Sequence, residues 1–131
     1  MALYKTCYFL FIFGGIGYSM IEMLWRGYTH PSMGVLGGIC LIAIWFINYY
    51  LRNEARFIRA FFCALIITLL EFISGVLLNI VLKLDIWDYS QAPFNIIGQV
   101  CLPYSFLWFL LSYFVIYIIE KLFFAQKKST E

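Results

Sequence analysis

The chain has 131 residues, 64% of them hydrophobic and only 12% charged, with a net charge of +2. A soluble domain is nearer about half apolar and about a quarter charged. The composition therefore excludes a water-soluble globular protein and a nucleic-acid binder, and predicts one integral membrane domain, 1–131, with the lipid bilayer as its first partner.

Four segments are apolar over the roughly 20 residues that cross a hydrocarbon core of about 30 Å. Helices are predicted at about 7–28, 33–51, 57–83 and 95–119, followed by a tail at 120–131. Inside a bilayer each backbone group needs an internal partner, so these are helices and not open strands. The fold class is all-α, a four-transmembrane-helix bundle. No small-residue cleavage site follows the first apolar run, and that helix is expected to stay.

The first helix carries a stripe of Gly15, Tyr18, Glu22 and Arg26. Glu22 stands four residues before Arg26, the favourable order for a helical ion pair. The corner "WRGYTHP" at 25–31 follows. Trp25 suits the aromatic belt at the membrane surface, and His30, the only histidine, reads as a turn cap or as a polar group of a pocket. Gly34, Gly37 and Gly38 in the second helix suit close helix packing.

A basic loop, "RNEARFIR", leads to the third helix, where Thr68, Glu71, Gly75 and Asn79 share one face. A charge at mid-bilayer costs about 2.5–3.5 kcal/mol on insertion scales, so Glu71 is expected to be a functional acid or half of a structural pair. Gly75 should leave room for a neighbouring backbone. The second corner, "WDYSQAPFN" at 87–95, supplies Trp87 as a second interface anchor and Asp88. Pro93 is then expected to begin the return, with Asn95 and Gln99 opening the fourth helix.

The corners align on their prolines: Trp25 lies six residues before Pro31, and Trp87 six before Pro93. Gly37 and Cys40 follow the first proline much as Gly98 and Cys101 follow the second. This order of features predicts two parallel two-helix repeats, about 7–51 and 57–119, related by an axis along the membrane normal. In that alignment Arg26 matches Asp88, and a structural Arg26–Asp88 ion pair between the halves is expected. Lys5, Arg52, Arg56, Arg59, Lys121, Lys127 and Lys128 fall on one side, Arg26 and Lys83 on the other. This places both termini in the cytoplasm and both corners outside.

Cys7, Cys40, Cys63 and Cys101 form no CxxC pair and stand beside no histidine, so apolar packing is their reading. Neither metal nor cofactor is expected, and no phosphate-binding glycine loop is present.

The stretches "EMLWRGYTHPSMGVLGGICL" and "EFISGVLLN…WDYSQAPFNIIGQVCLPYSFLW" resemble the family named Putative ABC-transporter type IV permeases. The second stretch is also similar to the small animal proteins called transmembrane protein 229. The resemblance runs from Gly17 to Trp108. It implies a polytopic bacterial plasma-membrane protein and, through the family name, an ATPase partner. The characteristic positions it implies are Glu22, Trp25, Arg26, Gly27, Thr29 and His30, then Glu71, Gly75, Trp87, Asp88, Tyr89, Ser90, Asn95, Gly98 and Gln99. Many members have a longer first corner, like NRG-x-LYGP; this chain has the shorter WRGYTHPS form.

Three functions compete on this reading. One is a small permease, channel-like or ligand-binding module with an outward polar pocket drawn from Glu22, Arg26, His30, Glu71, Asn79, Asp88, Asn95 and Gln99. The second is an accessory or scaffolding subunit whose buried polar residues are structural. The third is a lipid-acting enzyme with Glu71 or His30 as acid or base. Four helices cannot enclose a wide pore alone, so a homo-oligomer or a partner membrane protein is implied.

Overall fold

The computed structural model describes residues 2–124. The expected tail beyond them, with Lys127 and Lys128, lies outside the described residues.

Four long helices dominate: α1 (Leu3–Arg26), α2 (Pro31–Tyr50), α3 (Arg56–Gly75) and α4 (Leu102–Ile119). Single π-helical turns, Val76–Val81 and Glu120–Phe124, prolong α3 and α4. With those turns, all four are long and apolar enough to cross a membrane. At about 1.5 Å per residue, the 24 residues of α1 reach about 36 Å, more than the hydrocarbon core requires.

The short first corner is built from helix caps. Gly27 ends α1 in the left-handed region at φ 80°, returning its N–H to the Met23 carbonyl. His30 then caps α2: its Nδ1 accepts from the Ser32 N–H at 3.2 Å and lies 2.7 Å from the Ser32 hydroxyl, with Pro31 as the first helical residue. Such a tight connection makes α1 and α2 an antiparallel hairpin. Glycines set its spacing. A Cβ on Gly14 would lie 2.6 Å from the Gly37 carbonyl oxygen, and one on Gly38 would lie 2.6 Å from that of Phe11.

Helices adjacent in sequence are adjacent in space, and α3 also forms an antiparallel pair with α4. The core lies between α2, α3 and α4, where Met33, Leu36, Cys40, Ile44, Cys63, Ile67 and Ile116 are buried. By contrast α1 is peripheral, and Glu22 is its one buried residue. The large side chains it exposes, among them Leu3, Phe13, Ile16, Met20 and Leu24, form a surface suited to lipid rather than to water. Helices α1 and α4 meet through side chains such as Tyr18 and Trp108 rather than by close backbone packing, which leaves the bundle open along that side.

The second corner corrects the sequence reading. The fourth helix begins at Leu102, not near residue 95, and its proline in the first turn is Pro103 rather than Pro93. Residues 95–101 instead make a small antiparallel ladder, β1 (Asn95–Ile96) with β2 (Val100–Cys101), registered Asn95↔Cys101 and Ile96↔Val100. Local side-chain bonds account for this. Asn95 Nδ2 donates to the carbonyls of Ala92 at 2.9 Å and Ser90 at 3.3 Å, and its Oδ1 accepts from the Gly98 N–H at 3.0 Å. Such bonds compete with helix. Gly98 follows at φ 72°, a conformation that favours glycine.

The corner tucks back into the end of the bundle. Asn79 Oδ1 accepts from the main-chain N–H of Ile86 at 2.7 Å and of Trp87 at 3.4 Å, while its Nδ2 donates to Gln99 Oε1 at 2.8 Å. Trp87 is only 5% exposed and its indole donates to the Gln99 carbonyl at 2.9 Å. It is therefore a core residue and not the interface anchor expected. Trp25, at 71% exposure, is free to serve as one. Gly75 makes room for the Gln99 and Trp87 side chains, not for a neighbouring backbone: a Cβ there would lie 2.6 Å from Gln99 Oε1 and 3.0 Å from the indole.

Candidate functional site

Both buried glutamates sit toward the corner end of the bundle. Glu22 pairs with Arg26 Nε at 3.1 Å, the i,i+4 pair expected on α1. Arg26 also reaches the second half, but at the Ile86 carbonyl, 3.2 Å from Nη2, and its guanidinium lies 4.5 Å from the Tyr28 ring centre. The expected Arg26–Asp88 pair does not form. Asp88 Oδ1 instead accepts from the Ser90 N–H at 2.9 Å, closing a local turn beside Gly98. The polar main-chain groups of the corner compete for each charge at closer range than the opposite side chain.

Glu71 is 3% exposed. Its Oε2 accepts from the Trp108 indole N–H of α4 at 2.8 Å, and the Tyr89 side chain lies close to the same carboxyl. One turn away on the same face, Thr68 meets Ser105 at 2.8 Å. Burial first, and then the charge of Glu71, pushes the Tyr89 hydroxyl well above the usual phenol range, so Tyr89 stays neutral.

Where the α1 and α4 backbones stay apart, a cavity of about 220 Å³ remains. Glu22 and Arg26 form its charged wall, and Tyr18, Trp25, Tyr89, Tyr104 and Trp108 contribute aromatic surface. Two ring pairs frame it: Tyr18 on Trp108 with centroids 5.7 Å apart, and Tyr89 on Tyr104 at 4.7 Å. A second, more apolar cavity of about 170 Å³ shares Tyr18, Ile21, Trp108 and Leu111 with it and continues between Gly14, Gly17, Cys40 and Ile67. The two form a polar-headed, apolar-tailed cleft.

Of the residues singled out in the sequence, Glu22 and Arg26 line this cleft, and Glu71 stands behind its Trp108 and Tyr89 wall. His30, Asn79, Asp88, Asn95 and Gln99 do not line it. His30 is a helix cap, and the other four build the second corner. The sequence reading passed over Trp108 and Tyr104, although 104, 108 and 111 share one helical face in a segment otherwise rich in Phe and Leu.

It also missed a cluster at the opposite end. Glu120 accepts from Arg56 at 2.5 and 3.1 Å through Oε2 and lies 2.6 Å from Arg59 Nη2 through Oε1. Arg59 further donates to Asn48 Oδ1 and, at 3.1 Å, to the Glu54 carbonyl. This clamp ties α2, α3 and α4 together. Two arginines read only as topology signals are thus structural as well.

Fold and site define a class: a small four-helix integral membrane protein with two buried acids inside the bundle and an aromatic cleft at one end. Residues 8–130 match the family model described as Putative ABC-transporter type IV, and the chain belongs to that family. No curated protein and no solved structure matches it.

Proposed function

We propose that the protein is a transport-class ligand-binding module of the bacterial plasma membrane, and that the cleft between α1 and α4 is its ligand site. The observation that carries this reading is the convergence of Glu22, Arg26 and the Glu71–Trp108–Tyr89 group on one cavity, where buried charge is costly without a use. The cleft is a concave, mostly apolar site with a few polar groups, the form expected of a ligand pocket.

In this reading both termini are cytoplasmic and the corner end faces outward, as the Lys and Arg distribution supports. The two hairpins descend from one duplicated unit, with the second corner enlarged. Four helices with an open side call for a second copy or a partner membrane protein to complete a transport path. An ATPase partner follows from the family description alone, and the link at 51–55 between α2 and α3 offers it little surface.

A second reading, an accessory subunit whose polar groups are structural, draws support from the Glu120 clamp and from the Asn79–Gln99 latch, both of which join elements of the fold. The lipid-enzyme reading needs an acid facing a headgroup, whereas Glu71 is buried behind Trp108 and Tyr89 and His30 caps a helix.

Thiol accessibility tests the pocket. In a variant lacking the four native cysteines, Leu107→Cys places a thiol in the cleft, and Leu110→Cys places one on the exposed apolar surface of α4. Maleimides react with thiolate, which needs water. A hydrophilic, impermeant maleimide added outside intact cells should label position 107 and spare 110. Equal protection of both would refute an outward cleft.

A further inference from the structure

We infer that the cleft takes an organic cation bearing an apolar group, such as a quaternary or protonated tertiary ammonium. This rests on the reading of the cleft as a ligand site and adds the chemical class of its ligand.

Charge balance is the first argument. Apart from the exposed Lys83, Asp85 and Asp88, the inward-facing charges of the corner half are Glu22, Arg26 and Glu71, of which Glu22 and Arg26 neutralise each other at 3.1 Å, with Arg26 further engaged by the Ile86 carbonyl. Among the described residues Glu71 has no basic partner: its carboxyl accepts from the neutral Trp108 indole at 2.8 Å, with the neutral Tyr89 side chain close by. When ionised, its negative charge is uncompensated, and it lies directly behind two rings that line the cavity. A monovalent cation in the cavity completes the balance.

Ring chemistry is the second argument, independent of the first. The cavity wall carries five aromatic side chains, two pairs of them stacked. Aromatic faces attract cations, most strongly Trp, and cages of such rings recognise quaternary ammonium groups. A hydrated metal ion would find one carboxylate already engaged by Arg26 and otherwise only phenol hydroxyls, and an anion would meet ring faces beside an arginine already engaged by Glu22. Shape gives the third: the adjoining cavity of about 170 Å³ is walled by Gly14, Gly17, Ile67 and Leu111 and suits an apolar substituent.

The test is equilibrium dialysis of radiolabelled benzyltrimethylammonium against the protein in nanodiscs, with empty nanodiscs subtracted. Unlabelled neopentylbenzene, its neutral carbon isostere, and benzenesulfonate serve as competitors. Saturable cation binding that neither competitor displaces is the expected result. Glu71→Gln should weaken it about tenfold and Glu71→Asp by less. Tyr104→Leu, which leaves the Glu71 partners in place, should also weaken it several-fold. Displacement by the neutral isostere at equal concentration, or unchanged affinity in both Glu71→Gln and Tyr104→Leu, would overturn the cation assignment. So would absence of saturable binding. If position 107 still labels from outside in those cases, the pocket stands and only the ligand class falls; if it does not, both fall.

Discussion

Asn79→Ala offers a direct probe of how the second corner is held. The side chain makes three bonds: it accepts from Ile86 N–H at 2.7 Å and Trp87 N–H at 3.4 Å, and donates to Gln99 Oε1 at 2.8 Å. Ile86 and Trp87 are 7% and 5% exposed, so water cannot readily replace the lost acceptor. A buried group left unsatisfied costs about 1–3 kcal/mol. The short Ile86 bond takes the middle of that range, the long Trp87 bond contributes little, and the buried Gln99 Oε1 loses its donor at about 1 kcal/mol more, while Gln99 Nε2 keeps its bond to the Ile97 carbonyl. The sum is about 3 kcal/mol, or about a hundredfold in a local opening equilibrium at about 1.4 kcal/mol per tenfold. Amide hydrogen exchange in nanodiscs reads it. The Ile86 amide should exchange about a hundredfold faster than in the parent, while amides in the middle of α2 stay unchanged. A change under threefold at Ile86 would refute the latch, and equal acceleration in α2 would mean global rather than local loosening.

Three further outcomes follow from the packing. Gly37→Val should destabilise the α1–α2 hairpin by about 2 kcal/mol, because the added atoms meet the Tyr18 side chain and the Gly14 carbonyl; SDS-driven unfolding in mixed micelles would show it, and parent-like stability would contradict the contact. Arg59→Ala should cost about 2 kcal/mol in the same assay, below the figure for a fully buried pair because Glu120 keeps Arg56, and it should exceed the loss in Arg56→Ala, whose side chain is 31% exposed against 10% for Arg59. In single-tryptophan variants, brominated lipids should quench Trp25 strongly and Trp87 weakly; the reverse order would place Trp87 at the interface after all.

The helices were legible because length and apolarity alone dictate them in a bilayer. The Glu22–Arg26 pair was legible too, since i,i+4 spacing on a helix fixes neighbourhood without any tertiary knowledge. The second corner was not. Proline signals a helix start equally well at 93 and at 103, and only the turn bonds of Asn95 decide between them. Trp87 reads as an interface residue from its type and its place beside an apolar run, yet the glycine at 75, twelve residues earlier, opens the slot that buries it. The Arg59–Glu120 contact joins residues 61 positions apart, and becomes visible only when α3 and α4 are known to run antiparallel. The repeat alignment pointed Arg26 across the halves, and it does cross, but to a carbonyl that no side-chain pattern reveals.

Glu71 is the centre of the account: a carboxyl held by a neutral donor behind the wall of an aromatic cleft. Its infrared carboxyl band in bilayers, isolated by subtracting Glu71→Gln, tests that role most directly. Perfusing benzyltrimethylammonium through the film should shift or convert this band reversibly, and neopentylbenzene should leave it in place. A Glu71 band indifferent to the cation, at concentrations that saturate any binding, would contradict the role assigned to it.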